Sequence, residues 1–438
     1  MRTVLSEESI RLSARQSGFV QRESKLSALM FTKMLFFDHL RADHPSLARH
    51  SFGLFNDHGK KISKQALHKR FNESSVEFVK DIFERYLKHQ LQVGRLPSVL
   101  TNQFTAIRIM DSTVFKLPAS LVAAFPGFGG DGTRACAKVQ FEFDLLSGSI
   151  RQLNLEHARI SDKAYSDNHQ SPLDKGELVL RDLGYYSLDS YHQICRQGAW
   201  YVSRLKSQIS IYEKKGDGYK ELSLKQLIKQ LRKSPQDYLD KEVYIGQSCK
   251  YPVRLVGSLL DEAAVGRRVA RKRHRKKRLT KADQDSCRLN LFITNLPPQM
   301  ATAEELYRLY KLRWQVELLF KAFKSIVRLD KVHSMKADRL KCYLYSKLLW
   351  IMLNWDICRC VQAEAWVHHG RLLSHYKCFG LLIQQAAALK DKLFCQRKML
   401  REWLLRICQG LIDYGLRDKR KNRMSLSELL QMKPPAML

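Results

Sequence analysis

Apolar residues recur at helical spacing through the first hundred positions and then change to strand spacing. Leu26, Leu29, Met30, Met34, Leu35 and Phe37 repeat near a period of 3.6. Ser74 and Glu77 read as a capping box that opens a helix with Phe78, Val79, Ile82, Phe83 and Tyr86 on one side. Between them lie a polar turn at 56–61 and a short segment at 62–72 that Ser63 can cap. The period then becomes two. Residues 106–113 read as an apolar strand ending in an acid, Asp111, and 135–144 as a strand that turns at 146–149 into a return strand from Ile150 to Leu155. Residues 177–182 are a second apolar strand ending in an acid, Asp182, with 183–188 leading into a helix. Strands are also predicted at 199–204, 243–245, 253–256 and 290–295. Residues 267–281 are dominated by Lys and Arg, lack a core-forming pattern and predict an exposed, mobile loop. Thr302 and Glu305 form a capping box after Pro297 and Pro298 and start one helix that runs through Lys324. The chain beyond it, to Met432, reads as helical and basic, and no internal repeat is visible.

This pattern predicts an α/β protein in five parts. Residues 1–100 form a helical domain, 101–205 the first part of an α/β core, and 206–288 a β-rich insertion with the basic loop. Residues 289–350 form the second part of the core, and 351–438 a helical C-terminal region. At 438 residues and 45% hydrophobic content the chain can bury a large core, which excludes a disordered protein. Charge adds a partner: 76 Lys and Arg against 43 Asp and Glu give a formal net charge of +33. That predicts a polyanion, with nucleic acid first and an anionic membrane surface second. The ten cysteines form no C-x2-C pair, which points to reduced thiols in a cytosolic protein and away from a zinc site. No secretory h-region opens the chain, and Lys341, Lys347, Asp356 and Arg359 interrupt the apolar stretch 340–361, which reads as a buried helix.

The candidate chemistry lies in Tyr310, Arg313, Glu317 and Lys324, spaced Y-x2-R-x3-E-x6-K. On one continuous helix these four share an arc of about 60°, beside an apolar face that includes Leu309, Val316 and Phe323. Charged rows on amphipathic helices are usually solvated faces. Here a single carboxylate stands among donors, which suits work beside phosphate. Asp111 and Asp182 at strand ends, followed by Glu317 on a later helix, suggest an RNase H-like nucleotidyl-transfer site, because clustered carboxylates hold the hard divalent cations of two-metal chemistry. Such a site should be loose without Mg²⁺. A lone His is more often structural, so His157 and His333 are not taken as bases. Separately, the segment after the turn at 56–61 carries Lys64, Gln65, His68, Lys69 and Arg70. It suits a helix-turn-helix reader, in which Gln pairs with adenine and Arg with guanine.

The Tyr310, Arg313, Glu317, Lys324 spacing resembles the YREK signature of bacterial insertion-sequence transposases of family four, a DDE group. Asp111 in D-S-T and Asp182 in D-L-G-Y-Y resemble the first two acids of that group and Glu317 the third. The resemblance implies an RNase H-like catalytic core with a β-rich insertion, an all-α DNA-binding domain before it and a helical region after it. It also implies cut-and-paste transposition through hairpinned ends. By the same resemblance Asp111, Asp182 and Glu317 bind two Mg²⁺ ions, with Mn²⁺ as a substitute. Arg313 and Lys324 hold phosphates, and Tyr310 bonds a phosphate near the hairpin. Trp200, Tyr201 and Trp314 are candidates to stack on an unpaired base, and Arg204 to contact phosphate. The basic loop, with Arg271, Lys272, Arg273, Arg275, Lys276, Lys277 and Arg278, tracks DNA backbone. The expected partner is double-stranded DNA, both terminal inverted repeats and target. A homodimer is expected in the synaptic complex, at the nucleoid of a bacterial cytoplasm. An endonuclease without strand transfer and a domesticated, non-catalytic DNA-binding protein are the alternative readings.

Overall fold

The computed structural model describes residues 2–37, 46–91, 93–96, 98–129, 134–169, 171–274, 276, 278–394, 397–418 and 424–432. Its strands are β1 (Ile107–Leu117), β2 (Ala135–Asp144), β3 (Ile150–His157), β4 (Leu178–Arg181), β5 (Trp200–Arg204), β6 (Ile211–Lys215), β7 (Gly218–Glu221), β8 (Tyr238–Ile245), β9 (Tyr251–Leu259) and β10 (Leu289–Thr294). Its helices are α1 (Arg2–Leu5), α2 (Glu7–Gln16), α3 (Ala28–Phe36), α4 (Leu47–His58), α5 (Lys64–Arg70), α6 (Glu73–Lys88), α7 (Asp162–His169), α8 (Leu188–Arg196), α9 (Leu224–Lys233), α10 (Glu262–Arg273), α11 (Lys281–Arg288), α12 (Ala303–Leu312), α13 (Trp314–Ser325), α14 (Ala337–His369), α15 (His375–Gln384), α16 (Ala386–Leu393), α17 (Arg397–Tyr414) and α18 (Leu426–Leu429). The chain groups into two compact units. A strand-rich unit takes Val99–Asp111 and Ser161–Trp314, and a helix-rich unit takes Met1–Ser98, Ser112–Ile160 and Gln315–Leu438. β1 contributes its first half to the former and its second half to the latter.

In the strand-rich unit the order is β1-β4-β5-β10-β9-β8-β6-β7. β1 pairs with β4 in parallel, from Ile107↔Leu178 to Met110↔Arg181, and β4 pairs with β5 in parallel, from Leu178↔Trp200 to Leu180↔Val202. All four residues of β4 are buried, as expected of a parallel strand covered on both faces. Val179, Tyr201, Leu255 and Ile293 belong to the core of this unit. β1 does not end at Asp111, as expected, but runs on to Leu117. Only the pairing with β4 stops there.

Two further expectations change in this unit. The basic segment is not coil throughout: α10 takes its first half, residues 267–273, and α11 begins at Lys281. Asp261 caps α10 by accepting from Ala264 N at 2.6 Å, Thr280 caps α11, and the Ala and Arg residues between are good helix formers. Arg275 and Lys277 lie outside the described residues. The expected single helix from 302 to 324 is two helices. Thr302 and Glu305 do form its capping box, but Arg313 N donates to Tyr310 O at 3.1 Å, a tighter i to i−3 turn that separates α12 from α13.

The helix-rich unit sets the strand order β3-β2-β1 beside a helical core. All ten residues of β2 are buried. The β2–β3 turn passes through Gly148 at φ 68, where a Cβ would lie 2.9 Å from Arg359 Cγ; only glycine suits that corner. Asn72, not Ser74, caps α6: its side chain accepts from Ser75 N at 3.1 Å while Ser75 Oγ accepts from Asn72 N at 3.0 Å. Tyr86 of α6 donates to Asp356 of α14 at 2.9 Å, and His50 Nε2 bonds Tyr343 Oη at 2.9 Å. The N-terminal helices therefore share a unit with α14 and do not stand alone as residues 1–100 were expected to. α14 is largely buried, and among the described residues no helix is long and apolar enough to cross a membrane.

Candidate active site

The parallel register brings the two aspartates together. Met110 pairs with Arg181, so Asp111 and Asp182 are the next residues on neighbouring strands. Asp182 stays extended at φ −81, ψ 166. Extending the β4–β5 register by one pair-step beyond Leu180↔Val202 sets Arg204 level with Asp182. Register mates in a parallel sheet face the same side on strands about 4.8 Å apart. Carried on at this register, Asp111, Asp182 and Arg204 form one row. Trp200 stands four residues down β5, about 13 Å from that level, so it is not a stacking residue at this site. Tyr201 is buried and stacked on Tyr191 at 4.5 Å, and belongs to the core.

A charged partner fixes the first member of the row. Arg313 Nη1 donates to Asp111 Oδ2 at 2.9 Å, with both side chains mostly buried. The Arg313 guanidinium thus balances the charge of Asp111. Asp182 is half-buried, and among the described residues its carboxylate accepts no hydrogen bond and forms no ion pair. Tyr310 packs on Phe292 at 5.0 Å, with the Arg313 guanidinium 5.9 Å from its ring centroid. Its hydroxyl is buried without a hydrogen-bond partner among the described residues. Burial first, then Asp182, pushes that hydroxyl's pKa up, against Arg313 and Arg204. All five groups sit in the strand-rich unit.

Glu317 and Lys324 belong to the helix-rich unit and are half-buried on α13. Lys324 Nζ donates to Val114 O at 3.0 Å, and burial lowers its pKa against the pull of Asp330. Trp314, at the start of α13, is 56% exposed and available to a partner. In the N-terminal helices, Lys64, Gln65, His68 and Lys69 are exposed on α5. Arg70 departs from them: its guanidinium lies 4.1 Å over the Phe19 ring, half-buried, and does not face out as a base reader. In the basic segment Arg271, Arg273 and Arg278 are exposed, whereas Lys272 and Lys276 each reach Asp283 at 3.1 Å and are partly neutralised.

Several positioning residues gave no signal in the sequence. Arg108 on β1 is fully buried, with Nη1 on Glu177 Oε2 at 3.0 Å and on Pro172 O at 2.8 Å. Arg181, next to Asp182, bonds Ser166 Oγ at 2.7 Å and Ser190 Oγ at 2.9 Å. Arg254 grips Asp240 through two bonds and donates to Leu296 O and Ala301 O at 3.0 and 2.8 Å, which holds the approach to α12. A charged residue inside an apolar strand looks like an interruption; only its buried partner gives it a role.

The adjacent aspartates offer hard oxygen ligands of the kind Mg²⁺ and Mn²⁺ take. Among the described residues, no group of three or more His, Cys, Asp or Glu is close enough to hold a metal ion. Known proteins are similar to this chain. The family model described as a transposase DDE domain matches residues 102–353. The transposase for insertion sequence element IS231D of Bacillus thuringiensis subsp. finitimus is 32% identical over 387 residues, covering 84% of this chain and 81% of that protein. The transposase for IS1151 of Clostridium perfringens is 29% identical over 440 residues, covering 96% and 92%. A cryo-EM structure of piggyBac transposase in a synaptic complex with hairpin DNA aligns at a TM-score of 0.46 and 11% identity, covering 93% of this chain and 84% of that one.

Proposed function

The chain belongs to the DDE-domain transposases of insertion sequences, and from that premise we propose that it moves its own element by cut-and-paste transposition. It is then a member of the YREK group, family four, acting at the nucleoid of a bacterial cytoplasm. The observation that carries this reading is the row of Asp111, Asp182 and Arg204, with Arg313 and Tyr310 beside it. The strand orders β3-β2-β1 and β1-β4-β5 support an RNase H-like core.

Asp111, Asp182 and Glu317 are the residues that would hold two Mg²⁺ ions, or Mn²⁺ in their place. When bound, such ions supply charge that polarises a scissile phosphate and lowers the pKa of water. The chain's own groups do the rest. A guanidinium has five donors, so Arg313 can orient Asp111 and still hold a phosphate oxygen. The Tyr310 hydroxyl, protonated at neutral pH as any phenol is, supplies a donor. Lys324, anchored on Val114 O, adds a cation for a neighbouring phosphate. The DNA steps follow in order. Water cleaves one strand at the element end and frees a 3′-OH. That hydroxyl attacks the opposite strand and closes a hairpin, water reopens it, and the 3′-OH attacks target DNA. Two ends must meet, which calls for a homodimer on the terminal inverted repeats. Lys64, Gln65, His68 and Lys69 of α5 contact the repeats, Trp314 stacks on an unpaired base, and Arg271, Arg273 and Arg278 follow the backbone.

The test is cleavage of a labelled duplex carrying the element's end, with Mg²⁺, by the wild type, Asp182→Asn and Glu317→Gln. The wild type should produce hairpinned ends, and both variants should bind the duplex without cutting it. Equal cutting by either variant would remove that acid from the site. Cut ends that never form hairpins or joined products would mark an endonuclease, and binding without cutting by the wild type a non-catalytic protein.

A further inference from the structure

β5 and β10 are antiparallel, with Arg204 opposite Phe292. Directly paired residues share a face, as do residues two apart on one strand. Arg204, Phe292 and Asn290 therefore stand on the same side of β5 and β10. α12 packs there too, since the Tyr310 and Tyr307 rings lie 5.0 and 6.0 Å from that of Phe292. So does α10: Arg268 donates from Nη1 to Leu289 O at 2.7 Å and from Nη2 to Asn290 Oδ1 at 3.3 Å. The two arginines thus come from different parts of the chain, core strand and insertion helix, to one face.

Their partners are telling. Both acceptors of Arg268 are neutral, so they orient its guanidinium without cancelling the charge. Among the described residues neither Arg204 nor Arg268 has a carboxylate ion pair. Lys272 and Lys276, from the same basic stretch, are held by Asp283. Two close guanidiniums repel each other unless an anion joins them. The pKa of Arg268 is lowered by burial and next by Arg204 itself, which agrees with their proximity. The buried, unpartnered hydroxyl of Tyr310 also senses Arg204.

We propose that Arg204 and Arg268 clasp a single DNA backbone phosphate beside the covered Phe292 ring, with the Tyr310 hydroxyl as a further donor. This rests on the transposase reading and deepens it by separating Arg268 from the basic residues around it. Those meet the backbone without fixed register, whereas Arg268 fixes one phosphate beside the aspartate row. Two guanidiniums with planar donor forks are suited to the several oxygens of one phosphate.

The test uses the full-length protein and a labelled duplex carrying the element's end, with single neutral methylphosphonates placed in turn along its backbone. Arg268→Gln should weaken binding about tenfold and lower the slope of log affinity against log salt by about one. Arg204→Gln should do the same, and the double variant should lose much less than the sum, because both act on one contact. One methylphosphonate position should weaken the wild type and have no further effect on Arg268→Gln. The melting temperature of Arg268→Gln should hold or rise, since the substitution relieves repulsion and keeps a donor for Leu289 O. Wild-type affinity and salt slope in Arg268→Gln would overturn the clamp, as would additive losses sensed at two different phosphates. A fall in melting temperature with no loss of the methylphosphonate response would reduce Arg268 to a tether. If the wild type does not prefer the element's end to an unrelated duplex, the transposase reading falls and the clamp falls with it.

Discussion

Two buried histidines set an acid limit on the folded protein. His50 is enclosed near Arg339 with its pKa lowered to about 4, and His375 is stacked on Trp355 near Arg417 with its pKa lowered to about 3; burial is the larger cause for both. Above pH 6.5 both are neutral whether folded or unfolded, and neither affects stability. Between pH 6.5 and 4 the unfolded chain takes up protons that the folded chain refuses, so stability falls with pH. For His50 the loss approaches about 3 kcal/mol at the bottom of that window. Urea midpoints at pH 7.5 and pH 5 measure it. His50→Gln should narrow the gap between the two, and an unchanged gap would show that His50 titrates freely. A single arginine makes a comparable contribution elsewhere. Arg254→Leu leaves Asp240 without its cation and two carbonyls without a donor. The cost is on the order of 3 kcal/mol, with Asp240 retaining some water. Denaturant unfolding reads it directly, and a loss below about 1 kcal/mol would contradict the anchoring role.

Elements were legible where one local signal sufficed. Strand β2 and strand β10 follow from alternating or continuous apolar runs, and α12 from the Thr302 and Glu305 box. β6 and β7 were missed because they form a mostly polar, exposed hairpin in which all of β7 faces solvent; such a strand has no apolar face to announce it. α10 has little apolar face to announce it, with Val265 its buried residue, although its Ala and Arg residues favour helix. The break at Arg313 depends on a single tightened turn that side-chain spacing does not encode. The aspartates were legible as strand-end acids, but the row they make with Arg204 was not. It depends on pairing between strands about seventy residues apart in the chain, and no local pattern carries register across that distance. Arg70 shows the converse error: its type suited a base reader, and the ring of Phe19 captured it.

At the scale of the whole molecule, neither unit is a continuous stretch of chain. The helix-rich unit is drawn from three segments and the strand-rich unit from two. The buried face of α6, with Val79, Ile82, Phe83 and Tyr86, packs in the unit that holds α14. A fragment of residues 1–98 should therefore lose much of its helix and be cut within α6 by trypsin, as circular dichroism and limited proteolysis will show. A protease-resistant fragment with full helicity would mean the N-terminal helices fold by themselves. The same interleaving has a consequence in time. Synthesis proceeds at about 5–20 residues per second, so α14 leaves the ribosome roughly fifteen to fifty seconds after the first ninety-eight residues do. For that interval the newborn chain carries an uncovered apolar surface whose partner does not yet exist. Its yield is then decided as much by what shelters that surface during translation as by the stability of the finished fold.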